Sequence, residues 1–228
     1  MKPHEKKQEK FIILINFKRV TGDRAHYLAM ELDKIGNSFR ELFDIIIALQ
    51  PGDALRVAGD ISLPLFIQDG CIGSSDLFLD GIDTGLIPQG KLRGVILSHP
   101  EKKLPRHMLA ERSFAVRKLG LEIMLCATSL DEGIDLSNRF EPKYLAVENE
   151  QLIGKDISIC DYCPEMVTEV VQRIDNRILF GGGIRTPSDI HFILKKGGSG
   201  VLISSLVIKS PDPLTTLKKL LNPLNYID

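Results

Sequence analysis

FIILINFK (residues 11–18) is an apolar run that ends on two polar side chains, Asn16 and Lys18. Two other apolar runs end on polar side chains, and a third ends on glycines. RGVILSHPE delivers His99, KYLAVENE delivers Glu148, and RILFGGGI ends on the glycine run Gly181-Gly182-Gly183. An amide, a cation, an imidazole and a carboxylate, delivered by the ends of three separate strands, can reach one small molecule only if the strand ends share a mouth. A closed barrel of parallel strands has that geometry, because the C-terminal ends of all its strands open on one face.

The rest of the chain supports this reading. Short apolar runs alternate with amphipathic segments from end to end. Strands are predicted at 11–17, 43–49, 63–68, 93–97, 121–127, 143–147, 177–181 and 200–203. They are almost continuously apolar, as strands covered on both faces must be. Helices fall between most of them. Thr21 or Asp23 can cap a helix reaching Phe39, Ser129 can cap 130–139, and Pro164 suits the first turn of 164–174. Thr186-Pro187-Ser188-Asp189 opens a helix over 187–196 that Gly197-Gly198 ends, and Pro213 starts the last one. The Gly- and Asp-rich stretch 70–92 reads as a long loop. Eight βα units with right-handed crossovers predict an α/β protein, a single-domain (β/α)8 barrel over 11–228, preceded by a charged, mobile lead-in over 1–10.

Composition narrows the function. The chain has 228 residues, 43% hydrophobic, enough for one barrel core without disulfide or metal support. A net charge of −1 with no basic stripe argues against nucleic acid as a partner. No apolar run is long enough to span a bilayer and no signal-peptide segment is present. Of the four cysteines, Cys126 lies in the strand pattern LEIMLCATS and reads as a core residue. Cys160-x-x-Cys163 has the spacing of half a zinc site or a redox pair, but no second pair or suitably spaced His completes it. The thiols therefore read as reduced, which fits a cytoplasmic protein.

The polar strand ends have distinct chemistry. Asn16 and Lys18 alternate, so both can face the mouth, where Lys18 supplies a fixed positive charge for an anionic substrate. His99 precedes Pro100, which favours a turn into a helix, and an imidazole at a helix N-terminus tends to stay neutral. Glu148 at the end of a buried strand is partly desolvated, which raises its pKa into the range of a general base. The glycine run at 181–183 and GVLISS (200–205) end the last two strands, where the phosphate site of such barrels usually lies. Asn149 to Ser158 can form a lid.

Order and spacing together resemble the triosephosphate isomerase family, in its short archaeal form, over nearly the whole chain after residue 10. Asn16-Phe17-Lys18 resembles the family's N-[WF]-K, Thr84-Gly85 its subunit-contact T-G, and Ser98-His99-Pro100-Glu101 its N-H-S-E. Ala146-Val147-Glu148 with Leu152-Ile153-Gly154 resembles the A-x-E…I-G of its base and lid, and Gly181–Ile184 its G-A-G-I. Gly200–Ser205 followed by Lys209-Ser210-Pro211-Asp212-Pro213 resembles its closing G-V-L-x-A-S…K-x-x-D-P. The resemblance implies a TIM barrel in which Glu148 moves a proton between two carbons of a triose phosphate and neutral His99 polarises the oxygens. It further implies that Lys18 holds the substrate and Asn16 stabilises the enediolate. Gly154, Gly182, Gly183, Ser204 and Ser205 would offer phosphate contacts, and Glu101 would orient Lys18. Thr84 would reach a neighbouring subunit of a homodimer or homotetramer. No cofactor and no metal are implied.

Several positions depart from the family pattern. Asn149 and Glu150 stand where prolines are usual, which predicts a looser lid hinge. Gly154-Lys155-Asp156 replaces G-T-G, Lys102-Lys103 replaces arginines, and Leu206 replaces a glycine beside the phosphate loop, where its bulk can crowd the pocket. Two further readings stay open. GGGIRTPSD with GVLISS also resembles phosphate loops of other barrel isomerases and synthases, and Asn149 and Leu206 also fit a non-catalytic relative that binds a phosphorylated metabolite.

Overall fold

In the computed structural model, residues 10–68, 90–152 and 155–222 are described, apart from the side chain of Glu150. The strands are β1 (Phe11–Asn16), β2 (Phe43–Leu49), β3 (Leu65–Gln68), β4 (Leu92–Leu97), β5 (Glu122–Ala127), β6 (Tyr144–Glu148), β7 (Arg177–Gly181) and β8 (Gly200–Ile203). They form a closed barrel in chain order, parallel throughout, with β8 pairing back onto β1. Three boundaries differ from expectation in ways that matter. β3 begins at Leu65, because Pro64 has no N–H to add to the ladder. β1 ends at Asn16, so Lys18 lies beyond the strand and does not share its alternation. β6 runs through Glu148, which pairs in register with Gly181 of β7.

The alternation of side chains along the strands fixes the architecture. One set, including Ile12, Leu14, Ile46, Phe66, Met124 and Leu179, packs inside the barrel, and the other packs against the surrounding helices. Bulk is matched across neighbours: a side chain at Gly94 on β4 would lie 2.5 Å from the Phe66 ring on β3. Counting two residues onward from the last interior residue of each strand gives Asn16, Gln50, Gln68, Ser98, Thr128, Glu148, Gly181 and Ser204. These positions form the inward-facing rim of the mouth.

Helices cover the outside. Ser129 caps Leu130–Phe140 by accepting the Glu132 N–H at 3.2 Å, and Thr186 and Asp189 form a reciprocal capping box on Pro187–Lys195. Asp212 caps Pro213–Leu220. The helix Gly22–Phe39 differs from expectation. Thr21 stands at its N-cap without a side-chain bond, Asp23 pairs with Arg56, and the Gly22 N–H donates to Asp53 at 2.8 Å. The turns Ile159–Tyr162 and Ser205–Ile208 are too short to show a helical period in sequence. The lead-in over 1–9, most of the loop 70–92 and Cys71 lie outside the described residues.

At the N-terminal end of the barrel Arg93 donates to Asp44 at 2.5 Å, Glu122 at 2.8 Å and the Tyr144 hydroxyl at 2.6 Å. Burial pushes the Glu122 carboxyl up, but hydrogen bonds from Lys143 and Arg93 outweigh it and hold the group below the usual range. Arg93→Met leaves two half-buried carboxylates without this partner, and we expect about 3 kcal/mol of lost stability in denaturant titrations near neutral pH. Because folding depresses the Glu122 pKa, its contribution is present above the unfolded value and disappears as pH falls through the folded one. The gap between wild type and variant therefore narrows in acid.

Candidate active site

Three of the rim residues, Asn16, Glu148 and Ser204, line a cleft of about 520 Å³, counting its open mouth. Lys18, Gly182 and Gly183 line it with them. Asn16 is 1% exposed and accepts the Lys18 backbone N–H at 3.0 Å, which folds the chain back at the end of β1. Lys18 takes a left-handed backbone conformation, φ 50°, uncommon for a residue with a side chain. Two glutamines hold it there: Gln50 Nε2 donates to the Lys18 carbonyl at 2.9 Å and Gln68 Nε2 does so at 3.4 Å. The Lys18 ammonium donates to Glu101 Oε1 at 2.7 Å, the pairing expected of Glu101.

His99 follows a second left-handed residue, Ser98, φ 58°, whose hydroxyl accepts the Leu104 N–H at 3.1 Å. His99 caps the turn Pro100–Lys102, with Nδ1 accepting the Glu101 N–H at 3.3 Å. An accepting Nδ1 leaves the proton of a neutral ring on Nε2. Burial pushes the His99 pKa down to about 4, and the Lys18 charge pushes the same way. The ring is therefore neutral at physiological pH, with its buried Nε2–H beside Glu148.

Glu148 is 6% exposed, and its Oε2 lies 3.4 Å from His99 Nε2. Burial raises its carboxyl to about 7, against the pull of Lys18. The contact with His99 is thus not an ion pair. Between pH 4 and 7 both groups are neutral, and above pH 7 a carboxylate faces a neutral imidazole. Gly181 makes the space for it: a Cβ at Gly181 would lie 2.3 Å from Glu148 Oε1.

After Gly181, Gly182 and Gly183 take φ 84° and 83°, and a Cβ at Gly183 would run into the Ile157 carbonyl. Only glycine suits both demands. The buried Ser204 hydroxyl has no hydrogen-bond partner, an arrangement a bound acceptor would satisfy. Ser205 opens the turn Ser205–Ile208 and lines the cleft with Ser204. Leu206 both lines the cleft and packs on the core, and Lys155 adds a second ammonium to the lining.

The structure therefore brings together Asn16, Lys18, His99, Glu101, Glu148, Gly182, Gly183, Ser204 and Ser205. Gly154 and Thr84 lie outside the described residues. Gln50, Gln68 and Gly181 were missed in the sequence, although all three share the inward parity of their strands. Cys160 and Cys163 are separate buried thiols, with burial pushing Cys160 up to about 12. Among the described residues no group of three or more His, Cys, Asp or Glu could hold a metal, and no helix is long and apolar enough to cross a membrane.

Comparison with known proteins adds a second line. The chain is 30% identical over 209 residues to the triosephosphate isomerase of Methanosarcina barkeri, spanning 85% of this chain and 90% of that protein. It is 27% identical over 220 residues to that of Pyrobaculum arsenaticum, spanning 93% and 97%. A family described as histidine biosynthesis protein matches residues 162–223. Among solved structures, a tryptophan synthase α-subunit from Pyrococcus furiosus aligns with a TM-score of 0.66 at 11% identity, covering 92% of this chain and 97% of that one. Thiamine phosphate pyrophosphorylase from Pyrococcus furiosus aligns with a TM-score of 0.58 at 15% identity, covering 92% and 93%. At such identities the structural likeness is one of fold.

The site carries a stability penalty with a definite sign. The Glu148 pKa is raised on folding, so the unfolded chain ionises first and stability falls as pH rises from about 4.5 to about 7. Glu148→Gln keeps the shape without the charge. We expect its melting temperature to exceed wild type at pH 8 and to match it at pH 4.5. A variant less stable than wild type at pH 8 would contradict the buried-carboxylate reading.

Proposed function

The chain belongs to the triosephosphate isomerase family, and on that premise we propose that it interconverts dihydroxyacetone phosphate and D-glyceraldehyde 3-phosphate without a cofactor. The observation that carries the reading is a desolvated carboxylate, Glu148, facing the Nε2–H of a neutral imidazole, His99, at 3.4 Å. Above pH 7 Glu148 is ionised and poorly solvated, which suits the removal of a carbon-bound proton from C1 of the ketose. The electron pair left behind becomes an enediolate across C1 and C2. His99 Nε2–H, the Lys18 ammonium and the Asn16 amide donate to its oxygens, where negative charge develops. The C1 hydroxyl proton passes to the C2 oxygen with His99 Nε2 as the relay, and Glu148 returns its proton to C2, giving the aldose. A neutral donor suits both directions, because its proton affinity is closer to that of an enediolate than an imidazolium's is.

In this reading the phosphate of the substrate sits between the Gly182-Gly183 backbone and Ser204 and Ser205, with Gly154 as a further amide donor. Lys155, exposed on the same cleft, supplies a positive charge for the dianion. Thr84 is assigned to the contact between subunits of a homo-oligomer, and the protein to the cytoplasm. The match to histidine biosynthesis proteins favours a second reading, another phosphate-handling barrel enzyme. That match spans Gly182, Gly183, Ser204 and Ser205 but excludes Asn16, Lys18, His99 and Glu148, so it accounts for phosphate binding and leaves the proton-transfer group unused.

A coupled assay of glyceraldehyde 3-phosphate isomerisation tests the proposal. We expect turnover in wild type and a loss of about 10²- to 10⁴-fold in Glu148→Gln, the usual worth of a positioned general base. A folded wild type without turnover would overturn the reading. Lys155→Gln should raise KM several-fold with kcat nearly unchanged and weaken the salt dependence of KM, because it removes a charge that binds ground and transition states alike.

A further inference from the structure

Glu148 ends β6, and the chain leaves it through a turn fastened to one short helix. Asn149 Oδ1 accepts the Gln151 N–H at 2.9 Å, and the Leu152 N–H donates to the Asn149 carbonyl at 3.0 Å. The other end of the same side chain, Asn149 Nδ2, reaches Cys163 Sγ at 3.8 Å. Gln151 Oε1 accepts the Tyr162 hydroxyl at 2.6 Å. Tyr162 and Cys163 stand at the end of the turn Ile159–Tyr162. The start of that turn is tied to the glycine loop, since the Ile159 N–H donates to the Gly182 carbonyl at 3.0 Å.

These bonds close a ring. It runs from Glu148 to Asn149, across to Cys163, back along the helical turn to Ile159, over to Gly182, and through Gly181 to Glu148 by strand register. We propose that Asn149 and Gln151 are positioning residues, whose side-chain bonds to Cys163 and Tyr162 brace the turn after β6 and hold the Glu148 carboxylate in its dry place against Gly181. The inference rests on Glu148 being the base of the proposed reaction and adds the device that places it. It also answers the expectation of a looser hinge at Asn149. The residue fastens the turn with both ends of its amide, which a proline could not do. The two bonds differ in kind. An amide-to-sulfur bond is weak, but Cys163 is buried, so water competes little for it. The phenol-to-amide bond is short, but Tyr162 is about half exposed.

The test uses the full chain with Asn149→Ala, Tyr162→Phe, the double variant and Cys163→Ser. Two quantities are read: kcat and KM on triose phosphate, and the Glu148 side-chain titration by 13C NMR, assigned by its absence in Glu148→Gln. We expect each single loss to lower kcat about tenfold with KM little changed, since displacement of a reacting group by under an ångström has effects of this order. The Glu148 titration midpoint should fall toward the ordinary glutamate range as water reaches the carboxyl. The double variant should lose less than the product of the singles, because both bonds hold one turn. Cys163→Ser, which keeps an acceptor, should stay near wild type. An unchanged midpoint, fully multiplicative losses, or Cys163→Ser behaving like Asn149→Ala would overturn the brace. Should wild type fail to turn over triose phosphates, the proposed reaction fails, while the titration still decides the brace.

Discussion

Everything at the mouth of this barrel depends on one constraint, the register that sets Glu148 of β6 directly against Gly181 of β7. A strand that alternates Tyr144, Ala146 and Glu148 on its inner face must deliver its last side chain inward once the barrel is closed. A charged group brought there meets little water, and its ionisation becomes costly. A glycine opposite is the condition for the carboxyl to fit at all. Slipping β6 by one residue against β7 would turn Glu148 outward, away from Gly181.

Around that carboxyl the site is arranged to avoid a stable ion pair. His99 is held neutral by burial and by the charge of Lys18, with its accepting nitrogen occupied by a backbone N–H. Lys18 is in turn paired with Glu101, so the cation is fixed without forming an ion pair with Glu148. The backbone strain sits in the same places. Lys18 and Ser98, two of the three described residues other than glycine with positive φ, immediately precede or carry a reactive side chain. Such conformations cost of order 1–3 kcal/mol each and persist where neighbours enforce them. Gln50, Gln68 and the Ser98 hydroxyl are those neighbours here.

Much of this was legible in the sequence, for a physical reason. Strands buried on both faces are written as unbroken apolar runs, so a polar residue at the end of one, such as Asn16 or Glu148, stands out. The glycines at 182 and 183 were equally plain, because a left-handed loop packed against the Ile157 carbonyl leaves little choice of residue. What stayed hidden depends on pairing between distant segments. Gln50, just past a strand, and Gln68, at the end of one, look like ordinary polar residues until β1 places the Lys18 carbonyl beside them. Gly181 reads as part of a glycine run until register sets it against Glu148. Asn149 looks like a loss of stiffness until the turn at 159–163 brings Cys163 within reach of its amide. Thr21 holds the N-cap position without a side-chain bond, and the Gly22 N–H goes instead to Asp53 of a neighbouring helix, a pairing of distant segments.

The central claim is that a buried carboxylate, ionised beside an imidazole that stays neutral, carries the chemistry. The pH dependence of kcat/KM on triose phosphate tests it most directly. The account predicts one acid limb near pH 7 from Glu148, with no further limb between pH 4 and 7 from His99. An acid limb near 4.5, the ordinary glutamate position, or activity that declines above pH 7 as an imidazolium is lost, would contradict it.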